Sequence, residues 1–324
     1  MNKTKRAFLA ILAGIIFAFI LRGLFSIESL DELYSVMTNT FIIGLPFAVG
    51  YITVFFCRID TIRYKSAAFF IPFIPIFGFL VITLLWGIEG AACWIMVFPI
   101  FLILAGLGGL TARYFRLRKE KRENTLYLTI VVLLPFFLSP LEKLIHVIPG
   151  RYEAFTQIDI HADKASIWKN VTRVRAISTA QDSAEFTRFL GFPRPIKAEL
   201  DTEAIGGKRE AIFDKGLVFH EEVIAYKPLK SMTFTIKANP YEIPSATMDK
   251  HIVVGGDFFD VLNGTYELEQ INANTCRLKL YSHFKLSTTF NFYASVWAGW
   301  IMTDIQQNIL KVIKARSERS KNEI

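Results

Sequence analysis

Five apolar stretches without a single Asp, Glu, Lys or Arg fill most of the chain's first half: Ala7–Leu21, Thr40–Phe56, Ser66–Trp86, Ala91–Leu110 and Leu126–Leu138. A helix that crosses a bilayer needs about 20 largely apolar residues, with about 17 as the working minimum. The middle three stretches meet that length. The first reaches it by running on through Gly23, Leu24 and Phe25, with Arg22 snorkelling. The last reaches it by starting near Asn124 and ending near Leu141. The expected spans are therefore 7–25, 38–57, 66–86, 91–110 and 124–141, an all-α transmembrane bundle within residues 1–145. The first stretch follows Asn2-Lys3-Thr4-Lys5-Arg6, which also suits a signal peptide. A small-residue cleavage site should then follow. Leu21-Arg22-Gly23-Leu24-Phe25 follows instead, so an uncleaved helix is expected.

The loops set an orientation. Lys3, Lys5 and Arg6 precede the first span; Arg58, Arg63 and Lys65 separate the second and third; Arg113, Arg116, Arg118, Lys119, Lys121 and Arg122 separate the fourth and fifth. The opposite loops carry Arg22 with Glu28, Asp31, Glu32 and Glu89. The positive-inside rule puts the basic set in the cytoplasm. Five crossings then leave everything after about Ser139 outside it. This multi-pass pattern, with few cysteines, points to a bacterial inner membrane, with the N-terminus cytoplasmic and the C-terminal domain extracytoplasmic.

The net charge of +8 has the same origin. Arg151–Ile324 holds 23 Lys and Arg against 21 Asp and Glu, so most of the excess lies in the membrane half. That distribution, with no recognition motif, argues against a nucleic-acid partner. Cys57, Cys93 and Cys276 are too few and too scattered for a disulfide framework or a metal-ligand spacing. The spans carry no ionisable group of the kind that marks an ion pathway. Their expected role is anchor and scaffold. Pro46, Pro72, Pro75, Pro99 and Pro135 permit kinks, and Gly106, Gly108 and Gly109 permit close packing.

Ser139-Pro140 and Pro149-Gly150 mark the passage to a second domain, residues 150–316, followed by a polar tail at 317–324. Tyr152–Ile160 reads as a strand, and 163–174 as a short helix with Asp163 as N-cap. Strand-like runs follow at Lys197–Thr202, Lys208–Phe213, Leu217–Tyr226, Ser231–Ala238, Asp257–Glu269 (with a bend or bulge at Asn263-Gly264) and Cys276–Leu286. Asn291–Arg316 has helical periodicity, with Phe292, Val296, Trp300, Ile301, Ile305, Ile309 and Val312 on its apolar side. Successive strands tend to pair as hairpins. A curved antiparallel sheet of this kind needs its apolar face covered, and the long last helix is the only element able to do so. The expected domain is α+β, with an apolar cavity between helix and sheet.

This layout resembles the START-like, polyketide cyclase/dehydrase (SRPBCC) superfamily. The resemblance rests on IDIHADKASIWKNV (158–171), GGKREAIFDKGLVFHEEVIAYKPLKSMTFTI (206–236), GTYELE (264–269) with RLKLYSHF (277–284), and the final ILKVIKAR (309–316). It covers half the chain and implies the helix-grip fold, with a hydrophobic or amphipathic ligand in a central cavity. It supplies no catalytic set and no cofactor, and the membrane half has no counterpart in the soluble members.

Candidate ligand contacts follow from strand and helix periodicity. His220, Glu222 and Tyr226 share one face of a strand, and the alternative is that Phe219, Glu221 and Val223 point inward. His283 is a second candidate, and Tyr266 lies on the GTYELE strand. Trp297, Asp304 and Asn308 lie on one stripe of the last helix with Trp300 nearby, and Asp304 and Asn308 suit a ligand headgroup. His251 sits in the long segment 239–256, which suits a loop beside the pocket mouth. No HxH, HExxH, GxSxG, P-loop or GxGxxG is present, so neither a metal nor a cofactor is expected. The expected function is a membrane-anchored protein that binds a lipid or other hydrophobic small molecule. The alternatives are an enzyme on such a substrate, using His220, Glu222 and His283, and a structural or sensory protein without a ligand.

Overall fold

A computed structural model describes residues 3–118, 121–145, 149–239 and 253–322. The chain forms two compact units, one holding its first half together with Thr288–Phe290 and the other holding the rest.

The first unit is helical. Its long helices are α1 (Lys3–Leu24), α2 (Asn39–Phe56), α3 (Lys65–Leu85), α4 (Ala91–Arg118) and α5 (Lys121–Leu144). Among the described residues five helices are long and apolar enough to cross a membrane; four lie within a few residues of the expected spans, and α4, Ala91–Arg118, runs eight residues past the expected end at 110. Ile71-Pro72 interrupts α3, leaving the pieces Lys65–Phe70 and Phe73–Leu85, because proline removes a backbone donor and crowds the preceding turn. Arg22 does not snorkel. Its side chain is buried, and Nε donates to Glu89 Oε1 at 2.6 Å, so the charge is met by a neighbour rather than by water.

The α2–α4 contact is close enough to require glycine. A Cβ on Gly50 would stand 1.9 Å from the Ala105 carbonyl oxygen, and one on Gly108 would stand 2.0 Å from that of Phe47. Small residues let helix backbones approach in this way, where van der Waals packing replaces the hydrophobic effect. At the start of α2, the Glu142 carboxylate of α5 accepts from the N–H groups of Asn39 (2.7 Å) and Thr40 (2.8 Å). These are donors that a helix start leaves without an internal partner. Gly108→Leu is expected to force α4 away from α2. Thermal unfolding of the purified chain should show a clearly lowered first transition, whereas Gly23→Ala, with open space around it, should leave that transition unmoved.

Among the described residues, the second unit is an eight-stranded sheet with helices. Its strands are β1 (Gly150–Ile160), β2 (Arg173–Val174), β3 (Pro195–Leu200), β4 (Lys208–Phe213), β5 (Val218–Lys227), β6 (Ser231–Ala238), β7 (Phe259–Asn272) and β8 (Thr275–Leu286). The order is β1-β8-β7-β6-β5-β4-β3-β2, antiparallel throughout. From β2 to β8 each strand pairs with its sequence neighbour, as short connections favour. β1 then pairs along its whole length with β8, from Gly150↔Leu286 to Ile160↔Cys276. Bulges interrupt β5 between Val223 and Ala225 and β7 between Val261 and Asn263, and bulges bend and twist a strand.

Helix α6 (Lys164–Thr172) begins where Asp163 accepts from the Ser166 N–H at 2.9 Å, the expected N-cap. A single turn, α7 (Phe186–Phe189), lies in the β2–β3 connection. The last helix, α8 (Asn291–Asn322), runs past the expected end and buries Ala298, Ile301, Met302, Leu310, Val312 and Ile313. The expected apolar side of α8 is only half right. Phe292, Val296 and Trp300 are exposed, because the first turns of α8 pack through the smaller Ala294 and Ala298.

Candidate functional site

The inward faces of the strands and one side of α8 line a cavity of about 110 Å³ that opens to solvent. Phe213, Phe219, Phe234, Ile236, Val261 and Leu280 supply much of its wall, and Ile305 and Ile309 of α8 face them. The β2–β3 connection adds Ile177, Phe192 and Pro193. Pockets for small organic ligands are built this way, apolar with a few placed polar groups.

The parity of β5 decides which polar groups reach the cavity. Phe219, Glu221 and Val223 point inward, so His220 and Glu222 lie exposed on the outer face. His220 Nδ1 is 3.8 Å from Glu210 Oε1 on β4, a solvent-side contact. The bulge after Val223 then reverses the alternation and turns Tyr226 away from its expected companions. Its hydroxyl accepts from Trp168 Nε1 (2.9 Å) and donates to Glu203 (3.0 Å). His283 is also on the outer face: it meets Asn263 at 2.9 Å and Glu153 at 3.1 Å, while its neighbours Ser282 and Phe284 are buried. The expected grouping of His220, Glu222 and His283 as acid and base in the cavity is therefore not formed.

On α8, Asp304 accepts from the Thr187 N–H (2.9 Å) and hydroxyl (2.8 Å). Asn308 is buried; its Oδ1 accepts from the Ser183 N–H at 2.8 Å and its Nδ2 donates to Asp182 at 2.9 Å. These two residues clamp the β2–β3 connection onto α8, and their hydrogen bonds go to protein groups. Trp297 stacks on Phe186, and Trp300 sits edge-on to the same ring with more than half its surface exposed. Tyr266 alone of the expected set lines the cavity, fully buried. His251 lies outside the described residues. Among the described residues no group of three or more His, Cys, Asp and Glu is arranged to hold a metal.

Two polar groupings do reach the cavity. In the first, Gln306 of α8 donates to Ser282 (2.8 Å) and to the Ala154 carbonyl (3.1 Å), and accepts from Thr156 (3.1 Å). Its hydrogen bonds fasten the helix to β1 and β8. The second is Arg209 on β4 opposite Glu221 on β5, each with a side chain 4% exposed. Arg209 Nε and Glu221 Oε2 are 2.9 Å apart. The N–H is not aimed at the oxygen, so neither atom has a hydrogen-bond partner among the described residues, and nor does Arg209 Nη1. The guanidinium also lies over the rings of Phe234 (5.0 Å) and Tyr266 (5.7 Å). Burial pushes the Glu221 carboxyl up to about 7, against the pull of Arg209. The alternation of KREAIF had the signal for this pair, since Arg209 shares a face with Ala211 and Phe213.

No protein-family profile matches this sequence, and no curated protein matches it. Solved structures do. A norcoclaurine synthase variant from Thalictrum flavum is 12% identical, covering 54% of this chain and 99% of its own, with a TM-score of 0.35. An aromatase/cyclase from a Streptomyces species is 12% identical, covering 53% and 96%, with a TM-score of 0.34. A START superfamily protein from Mycobacterium smegmatis is 9% identical, covering 53% and 99%, with a TM-score of 0.34. At such scores the matches add no weight of their own, and the fold reading stands on strand order and register.

The clamp on the β2–β3 connection makes a direct prediction. A net protein hydrogen bond contributes about 1 kcal/mol, and leaving a buried partner unmet costs about 1–3 kcal/mol. Asn308→Ala should therefore speed amide exchange at Ser183 by about tenfold or more, with β7 and β8 unchanged. Exchange equal to wild type at Ser183 would show that the clamp does not hold the connection.

Proposed function

We propose that this chain is a membrane-anchored binding protein whose second unit holds a hydrophobic small molecule in the cavity under α8. The cavity is the observation that carries this reading. A sheet and helix retained only as structure would pack their apolar faces together, because interiors close to crystal-like density. Here large aromatic side chains stand around empty space rather than filling it.

Anchoring is supported by the outer surface of the helices. Ile16, Ile20, Ile74, Phe77, Leu126 and Phe137 are all at least half exposed or nearly so. Large apolar side chains exposed in that way are costly in water and neutral in lipid. Orientation follows from the basic loops: the N-terminus is cytoplasmic, and the binding unit lies on the far side of a bacterial inner membrane. An enzymatic reading has less support, since the three residues on which it rested lie outside the cavity.

The test uses the full chain in lipid nanodiscs with phenylnaphthylamine, a neutral dye that brightens in apolar surroundings, and empty nanodiscs as blank. The dye should bind saturably. Ala211→Trp, which places an indole at a cavity wall position, should weaken that binding at least tenfold while the melting temperature stays within a few degrees. Dye binding no greater than the blank, or unchanged by Ala211→Trp, would overturn the proposal.

A further inference from the structure

The first turns of α8 carry an aromatic surface that the packing of the second unit leaves in the open. Phe292, Val296 and Trp300 follow one another at spacings of four along the helix, and all three are exposed. Trp297 lies beside them, 5.4 Å from the Trp300 ring, and stacks on Phe186 of α7 at 6.2 Å. Phe189, the last residue of α7, leaves 69% of its surface exposed, and Phe292 leaves 67%. No Asp, Glu, Lys or Arg occurs from 286 to 303. Glu185 and Arg188 flank Phe186 in the chain, and Asp304 follows Trp300 by one turn, so charged groups rim the patch. An apolar patch with a polar rim marks a docking surface for a protein or for a membrane.

Chain connectivity favours the membrane. Thr288–Phe290 belongs to the helical unit. Within that unit Asn39 donates twice to Thr289, from its N–H to Oγ1 at 2.7 Å and from Nδ2 to the carbonyl at 2.8 Å. Asn39 is the first residue of the candidate span Asn39–Phe56. Thr289 is therefore held at the level where a span begins. Phe292 comes three residues later, so its Cα lies within about 11 Å of that of Thr289. The headgroup layer on each side of the hydrocarbon core is roughly 5–8 Å thick, a distance of the same order. A protein partner could cover a patch at any height, and does not account for one that starts three residues from a span.

We propose that, on the membrane-anchored reading, this patch seats in the lipid–water interface of the bilayer that the helical unit spans. Trp and Tyr favour that layer because each ring joins an apolar body to one polar atom. Phe and Val add apolar area that reaches the first acyl carbons. The docking is intramolecular, since the chain already holds the start of α8 at the surface, so a weak affinity suffices. α8 then faces two ways. Phe292, Val296 and Trp300 meet lipid, whereas Ile301, Met302 and Ile305 line the cavity. The helix that covers the cavity is thereby attached to the membrane through its first turns.

The experiment places the full chain in phosphatidylcholine nanodiscs, with and without lipid that carries a nitroxide near the headgroup end of one acyl chain. A bimane label is attached at Phe292→Cys, at Val296→Cys or, as control, at Ile224→Cys, an exposed apolar position on β5. Cys57 and Cys276 are buried and Cys93 is half-buried, so the unsubstituted chain treated alike is the blank. The nitroxide lipid should quench the labels at 292 and 296 at least threefold more than the label at 224, and aqueous iodide should reach them less. A label at Phe77→Cys, an exposed position on α3, should be quenched by lipid with the nitroxide near the end of the acyl chain. Quenching at 292 and 296 no greater than at 224, with Phe77 quenched, would overturn the docking and leave the anchored reading intact. Shielding from iodide without quenching by lipid would mean that protein covers the patch, and would overturn the docking too. A Phe77 label that no nitroxide lipid reaches would overturn the anchored reading itself, and this inference with it.

Discussion

One antiparallel sheet with one apolar face and a single long helix to cover it is the constraint from which the second unit follows. Eight strands bury their inward side chains only where something lies against them, and α8 covers β1 and β8 better than the middle of the sheet. Leu310 and Ile313 close the core at the C-terminal half of α8, against Ile160, Ile167 and Leu278. Farther along, Ala298 and Met302 meet Val261 and Phe284. Between these two packed regions the sheet curves away from the helix, and the cavity is what remains. The β2–β3 connection forms part of its wall, and Asp304 and Asn308 are among the groups that hold it to α8. The same two carboxyl and amide groups are thereby committed to architecture.

Much of the fold was legible in the sequence because the strands alternate cleanly. KREAIF and SMTFTIKA coincide with β4 and β6, and CRLKLYSHFKL with nearly all of β8. The Asp163 cap and the bulge near Asn263 were also written in residue types. The site was less legible, for two physical reasons. VFHEEV offers one charged and one apolar-looking choice on each face, so alternation alone does not orient it; the pairing Arg209↔Glu221 does, and pairing is not a local property. The bulge after Val223 then reverses parity, which separates Tyr226 from His220 and Glu222. On α8 the helical stripe was real, but Phe292, Val296 and Trp300 extend it beyond the part that meets the sheet. The turn at Phe186–Phe189 has no periodicity to betray it.

Buried charge is met in more than one way along the chain. In the helical unit Arg22 is neutralised by Glu89, and Glu142 spends its oxygens on the open N–H groups of α2. Both arrangements are closed accounts of donors and acceptors. In the sheet unit Arg209 Nε and Glu221 Oε2 stand 2.9 Å apart without an aligned hydrogen bond, and Arg209 bonds the Tyr266 side chain instead. A buried pair in that condition adds little to stability. It sits on the cavity wall among Phe219, Phe234 and Tyr266.

The central claim is that the space under α8 holds a ligand. Native mass spectrometry of the intact chain, released gently from the membrane in which it was expressed, tests it most directly. The account predicts a retained apolar small molecule at one copy per chain, still present after the annular lipids have been stripped by increasing collision energy. A chain that sheds every adduct together with its annular lipids, in each host membrane tried, would contradict it.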